Sequence, residues 1–163
     1  MRTNLHWVET GVTGRLAIMA RPRAGDWLED EVRGLRESGV DIVVSLLTSE
    51  EVAELSLQDE AGECAKAGLE FRSFPIPDRE VPPVAEAARA FASGLRNALV
   101  SGRSIAIHCR MGIGRSSLIA AAVLRLVGVE PPHALTRLSA ARGFRVPDTE
   151  EQRQWILNFP ANS

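Results

Sequence analysis

The residues with the types and spacing for chemistry lie in one stretch, Ile105-Ala106-Ile107-His108-Cys109-Arg110-Met111-Gly112-Ile113-Gly114-Arg115-Ser116. Its pattern predicts a strand ending at His108, a glycine-containing loop, and a helix starting at about Arg115. Successive backbone N–H groups in such a loop can converge on one point, and the following helix adds the positive end of its dipole. Together they form a cradle for an anion. Gly112 and Gly114 permit the backbone conformations and close approach this requires. Cys109 sits inside the cradle, where the amides, the helix end and Arg115 would favour its thiolate, a strong nucleophile. The guanidinium of Arg115 can grip two oxygens of a phosphoryl group as a fork. Fixed positive dipoles of this kind suit phosphoryl transfer, in which the equatorial oxygens keep their charge throughout.

The elements that must position this loop alternate between strand and helix. Asn4–Val8 and Arg15–Met19 read as short strands around a glycine-rich turn, an opening hairpin. Arg21-Pro22-Arg23 begins a loop whose arginines could meet a phosphorylated ligand or simply be solvated. Asp26 is placed to cap a helix over Trp27–Glu37. The near-continuous apolar run Asp41–Leu47 predicts a strand covered on both faces, as in a parallel sheet. Ser49 is placed to cap a helix with Glu50 and Glu51 at its positive end. A short helix over Asp59–Ala67 and a strand over Glu70–Phe74 follow. Prolines at 75, 77, 82 and 83 force a loop that carries Asp78. Helices are expected over Val84–Val100, Arg115–Val127, Pro132–Arg142 and Thr149–Phe159, with Asp148 capping the last and Trp155 on its apolar face. The alternation predicts an α/β three-layer sandwich, a mainly parallel sheet flanked by helices, in one domain over residues 1–163.

Composition excludes other classes. The 163 residues are 45% hydrophobic and 25% charged, an ordinary globular balance. A net charge of −2 gives no pull toward nucleic acid or an acidic membrane surface. Two cysteines, Cys64 and Cys109, are too few for a disulfide scaffold or a four-cysteine zinc site. Eighteen of the basic residues are Arg and one, Lys66, is Lys; with Ala also abundant, this excess fits codon bias. No apolar run approaches the roughly 20 residues of a membrane helix. The N-terminus lacks a secretory pattern, so a cytoplasmic, reduced protein is expected.

The pattern His108-Cys109-x5-Arg115-Ser116 resembles the signature of the cysteine-dependent protein tyrosine phosphatase superfamily. The size and the late position of the motif resemble its dual-specificity branch. The resemblance covers most of the chain and implies roles for individual residues. Cys109 would take the phosphoryl group and Arg115 would bind it. The backbone of Arg110, Met111, Gly112, Ile113, Gly114 and Arg115 would line the cradle. Ser116 would donate toward the sulfur and help it leave, and His108 would orient the loop and tune the thiolate from behind. Asp78 is the candidate general acid, with Asp59 in reserve. Where many relatives place a water-orienting glutamine directly before the threonine, this chain has Asp148, and Gln152 stands at the later position. Cys64 could be a redox partner of Cys109, or a small buried residue.

The expected activity is hydrolysis of phosphomonoesters through a cysteinyl-phosphate, without metal or cofactor. The absence of Tyr and a 5% aromatic content favour a shallow pocket, open to phosphotyrosine, phosphoserine and phosphothreonine. A phosphoinositide or small-molecule phosphatase is the near alternative, although Ile113 stands where lipid phosphatases often carry a second basic residue. An arsenate reductase would need more resolving cysteines than Cys64. A phospho-binding module would be expected to have lost Cys109, Arg115 or Asp78. Phosphorylated protein or a small phosphomonoester is thus the expected partner, with no nucleic acid and no membrane span.

Overall fold

Five strands form one sheet in the order β1-β2-β5-β3-β4, in a computed structural model that describes residues 2–161. The strands are β1 (His6–Val8), β2 (Leu16–Met19), β3 (Ile42–Ser45), β4 (Glu70–Ser73) and β5 (Ile105–His108). Only β1 runs antiparallel to its neighbour; β5 is parallel to both β2 and β3, and β3 is parallel to β4. The last strand in sequence is therefore inserted at the centre. All four residues of β2, β3 and β5 are buried, as expected of parallel strands covered on both faces. β4 is the outer strand, where Glu70 pairs with Arg72 and with Arg103 at 2.9 Å. Charge on an open edge discourages further strand pairing.

The helices are α1 (Leu28–Glu37), α2 (Ser49–Glu54), α3 (Glu60–Lys66), α4 (Ala85–Val100), α5 (Arg115–Leu126), α6 (Pro131–Arg142) and α7 (Glu150–Asn158). The pleat of the sheet divides the core. Ile42, Val44, Ile105 and Ile107 pack under α4, α5, α6 and α7, whereas Val43 and Ala106 pack under α1, α2 and α3. This is the expected three-layer α/β arrangement. Helix α5 is buried at every position from Arg115 to Leu124, and its Ala120, Ala121 and Ala122 let neighbouring elements approach closely. A helix enclosed on all sides directly after the central strand leaves the intervening loop little freedom.

Three expected caps move by a residue or disappear. Thr48, not Ser49, is the N-cap of α2: its backbone is extended, and it forms a reciprocal capping box with Glu51. Ser49 is already inside the helix. Thr149 likewise caps α7 in a box with Gln152, which displaces Asp148 from that role. Asp26 lies within a 3-10 turn, Gly25–Trp27, and does not cap α1; Trp27 precedes α1 and is 57% exposed, outside the apolar face.

Ile105→Ala should lower stability by about 2–5 kcal/mol, because it leaves a cavity at the sheet centre. Val100→Ala, at an exposed helix end, should change it by less than about 0.5 kcal/mol. Urea unfolding of both variants measures the difference.

Candidate active site

The loop joining β5 to α5 lies at the carboxyl ends of the parallel strands, where open α/β sheets bind ligands. Its carbonyls are all engaged from outside. Arg110 O accepts from Arg21 N at 3.3 Å, Ile113 O from Ser117 Oγ at 2.6 Å, and Gly114 O from Leu118 N at 3.1 Å. Arg142, at the end of α6, donates to Met111 O and Gly112 O, both at 3.2 Å. Among the described residues, none of the amides of residues 110–114 donates to a protein acceptor. Unpaired donors beside a buried group are unfavourable until something accepts from them, and five in succession can hold an anion.

Two glycines let the loop sit where it does. Gly112 has φ +71°, and a Cβ there would lie 2.4 Å from the Met19 carbonyl carbon and 2.6 Å from Ala20 N. The loop thus rests directly on the end of β2. A Cβ on Gly114 would lie 2.8 Å from Gln152 Oε1.

Cys109 is buried at the base of the cradle, and Ser116 Oγ donates to its sulfur at 3.0 Å. Arg115 is 1% exposed. Its Nη1 reaches Glu51 Oε1 at 2.6 Å and the Ile76 carbonyl at 2.9 Å; its Nη2 reaches Glu51 Oε2 and Asp78 Oδ1, both at 3.0 Å. Burial opposes the Arg115 charge, but the Glu51 bond and the negative charges of Cys109, Glu51 and Asp78 outweigh it and strengthen its hold on the proton. Burial likewise opposes ionisation of Glu51. The Arg115 guanidinium, the Thr48 amide and Arg110 overcome that and hold its carboxyl at about 2, well below the usual carboxylate range.

A family model described as "Tc-R-P: Polymorphic toxin system, DSP-PTPase phosphatase" matches residues 17–128, more than half of the chain. The chain belongs to this phosphatase family. It is 25% identical over 134 residues to cyclin-dependent kinase inhibitor 3 of Rattus norvegicus, covering 81% of this chain and 63% of that protein. The chain therefore spans less than two thirds of the curated relatives it matches. Among solved structures it resembles kinase associated phosphatase carrying a serine in place of its catalytic-site cysteine. The TM-score is 0.88 at 20% identity, covering 98% of this chain and 94% of that one. It also resembles Tk-PTP in its active form, with a TM-score of 0.71 at 27% identity, covering 88% and 89%.

Within this DSP-PTPase frame, Cys109, Arg115, Ser116 and Asp78 come together at one site. Asp78 is half-exposed on its proline-bounded loop, within reach of Arg115. Asp59 lines a different surface groove with Asp26, Ser56 and Gln58. His108 lies behind the loop, its Nδ1 3.3 Å from the Cys109 carbonyl and its Nε2 2.6 Å from Glu60 Oε2. The Arg110 side chain turns back to Glu51 and Glu54 at 3.3 and 3.2 Å. Met111 is exposed and Ile113 packs against the core. Arg23 pairs with Glu31 at 3.5 Å, so in the 21–23 segment it is the backbone of Arg21 that touches the cradle.

Two expected side chains are engaged elsewhere. Gln152 is fully buried; its Oε1 accepts from the amides of Asp148 and Thr149, and its Nε2 donates to Glu80 O. It packs against Gly114 and braces the loop. Asp148 pairs with Arg79 at 2.8 Å. Cys64 and Cys109 are both free and belong to separate core clusters on opposite faces of the sheet. Burial, with the charges of Glu60 and Glu63, pushes the Cys64 thiol up to about 12. The structure does not bring the two sulfurs together.

Glu51, Glu60 and Arg142 were not legible as site residues. Thr48-x-x-Glu51 has capping-box spacing, which accounts for the helix start and conceals the ion pair.

Glu51→Gln tests the pairing. The folded-state value of Glu51 is depressed, so its contribution is present above the ordinary 4.5 and is lost as pH falls toward about 2. The variant should lose on the order of 2 kcal/mol at pH 7 and show a flatter fall in stability from pH 4.5 to 2. Thermal unfolding across that range measures both.

Proposed function

We propose that this chain hydrolyses phosphomonoesters, on proteins bearing phosphotyrosine, phosphoserine or phosphothreonine, through a cysteinyl-phosphate. The observation that carries the reading is the ring of unpaired amides around Cys109, closed by Arg115. Family membership supports the reaction class.

Both Nη groups of Arg115 are fully engaged, while its Nε–H has no protein acceptor among the described residues. A phosphoryl group entering the cradle takes Nε and the Nη2 position that Asp78 occupies. Asp78, released from Arg115, takes up a proton from solvent and swings toward the leaving oxygen. The Cys109 thiolate attacks phosphorus, a sulfur–phosphorus bond forms, and the phosphorus–oxygen bond to the leaving group breaks. Asp78 gives that oxygen its proton. Water then attacks phosphorus, Asp78 takes the water proton, and the sulfur–phosphorus bond breaks with Ser116 donating to the departing thiolate. Inorganic phosphate is released, Asp78 returns its proton to solvent, and the Arg115 pairing of the starting state is regained.

An open cradle with exposed Met111 at its rim is compatible with both phosphotyrosine and the shorter phosphoserine and phosphothreonine. The separation of Cys64 from Cys109 weighs against a resolving-thiol reduction of arsenate.

Cys109→Ser should abolish hydrolysis of p-nitrophenyl phosphate while leaving the fold intact. Full activity in that variant would overturn the reading. Asp78→Asn should lower kcat by about 10²–10⁴ on an alkyl phosphate, whose leaving group needs a proton. A panel of phosphopeptides and phosphoinositides assayed by phosphate release tests the substrate class; exclusive hydrolysis of the lipids would replace proteins as substrate.

A further inference from the structure

The pair His108–Glu60 takes no part in the steps above, yet it is among the most deeply buried ionisable contacts in the molecule. The side chains are 0% and 3% exposed, and the residues come from different elements, β5 and α3. The pleat directs His108 to the face opposite Ile105 and Ile107, where the first residue of α3 meets it. Both ring nitrogens have an oxygen partner. The Cys109 carbonyl can only accept, so Nδ1 donates to it at 3.3 Å. Nε2 lies 2.6 Å from Glu60 Oε2, a length typical of a charge-assisted bond, and an ionised carboxylate there can only accept. Two oxygen partners, one on each ring nitrogen, are the surroundings that suit an imidazolium. A carboxylate at this depth with no cationic partner would be strongly unfavourable, so each charge accounts for the other.

We propose that Glu60 is a positioning residue that holds His108 as an imidazolium, a fixed positive charge behind the nucleophile that favours the Cys109 thiolate. This role rests on Cys109 being the reacting group of the proposed phosphatase. Other charged and titratable groups surround the pair. Arg115 and Ser116 face Cys109 from α5, Glu51 from α2 and Asp78 from the 75–83 loop both lie on Arg115, and Arg110 leans on Glu51 and Glu54. On the other face Cys64 and Glu63 follow Glu60 along α3. The positive charge of Arg115 is offset by two carboxylates, so the His108 charge is not redundant with it.

Glu60→Gln isolates the charge. A glutamine can donate from its amide to a neutral Nε2 and keep the same geometry. The readout is the rate of Cys109 alkylation by iodoacetamide from pH 4 to 9, with peptide mass spectrometry separating Cys109 from Cys64. No turnover is required, so a chain without phosphatase activity still gives an answer about Glu60. The variant should alkylate about tenfold more slowly at pH 6, its pH midpoint raised by about one unit. In a His108→Asn background, Glu60→Gln should add nothing, since the effect passes through the ring. An unmoved midpoint, or the same shift in both backgrounds, overturns the proposal. If the variants do not fold, long-range nitrogen–proton spectra of the unsubstituted protein at pH 7 decide it. Protons on both His108 ring nitrogens are expected, and a neutral ring overturns it.

Discussion

A run of backbone amides held without acceptors is the constraint around which this molecule is organised. A loop left to itself would turn some of its N–H groups to its own carbonyls or to neighbouring side chains, and each buried donor left open costs about 1–3 kcal/mol. Here the carbonyls are taken first. Arg21, Arg142, Ser117 and Leu118 bind every carbonyl from residue 110 to 114, and the amides of the same residues are left without a protein acceptor among the described residues. Those donors come from three separate parts of the chain. The site therefore exists only when β2, α5 and α6 are all in place.

Charge follows the same logic. Arg115 is nearly inaccessible, and an isolated guanidinium there would be untenable. Glu51 makes it tolerable with a two-point contact, and Arg110 and the Thr48 amide in turn hold Glu51 ionised. Asp78 contacts the same guanidinium from the exposed side. The division between a buried carboxylate and an exposed one would let a single arginine be both a folded-state ion pair and, in the proposed reaction, a phosphate ligand.

The sheet order explains how residues 108 and 109 serve different surroundings. Placing β5 between β2 and β3 encloses it on both faces, and consecutive side chains then enter opposite cores. His108 enters the layer of α3 and Cys109 the layer of α4 to α7. The same separation keeps Cys64 away from Cys109.

The sequence alone determined the strand–loop–helix unit, the place of Cys109 and Arg115 at the two ends of its loop, the proline-bounded loop that carries Asp78 and the α/β layering. These are local matters: apolar periodicity, glycine and proline at fixed positions, and short-range spacing read directly along the chain. Caps were legible only to within one residue, because Thr48 and Ser49, like Asp148 and Thr149, are adjacent residues that both suit a cap, and only the backbone angles choose between them. The tertiary structure alone decided that Glu51 pairs with Arg115, that Glu60 lies on His108, that Arg142 holds the rim of the cradle, and that Cys64 belongs to the opposite core. Each of those contacts joins residues at least 30 positions apart. A carboxylate on a short helix looks the same in sequence whether solvent or a buried cation is its partner; the order of the strands decides which.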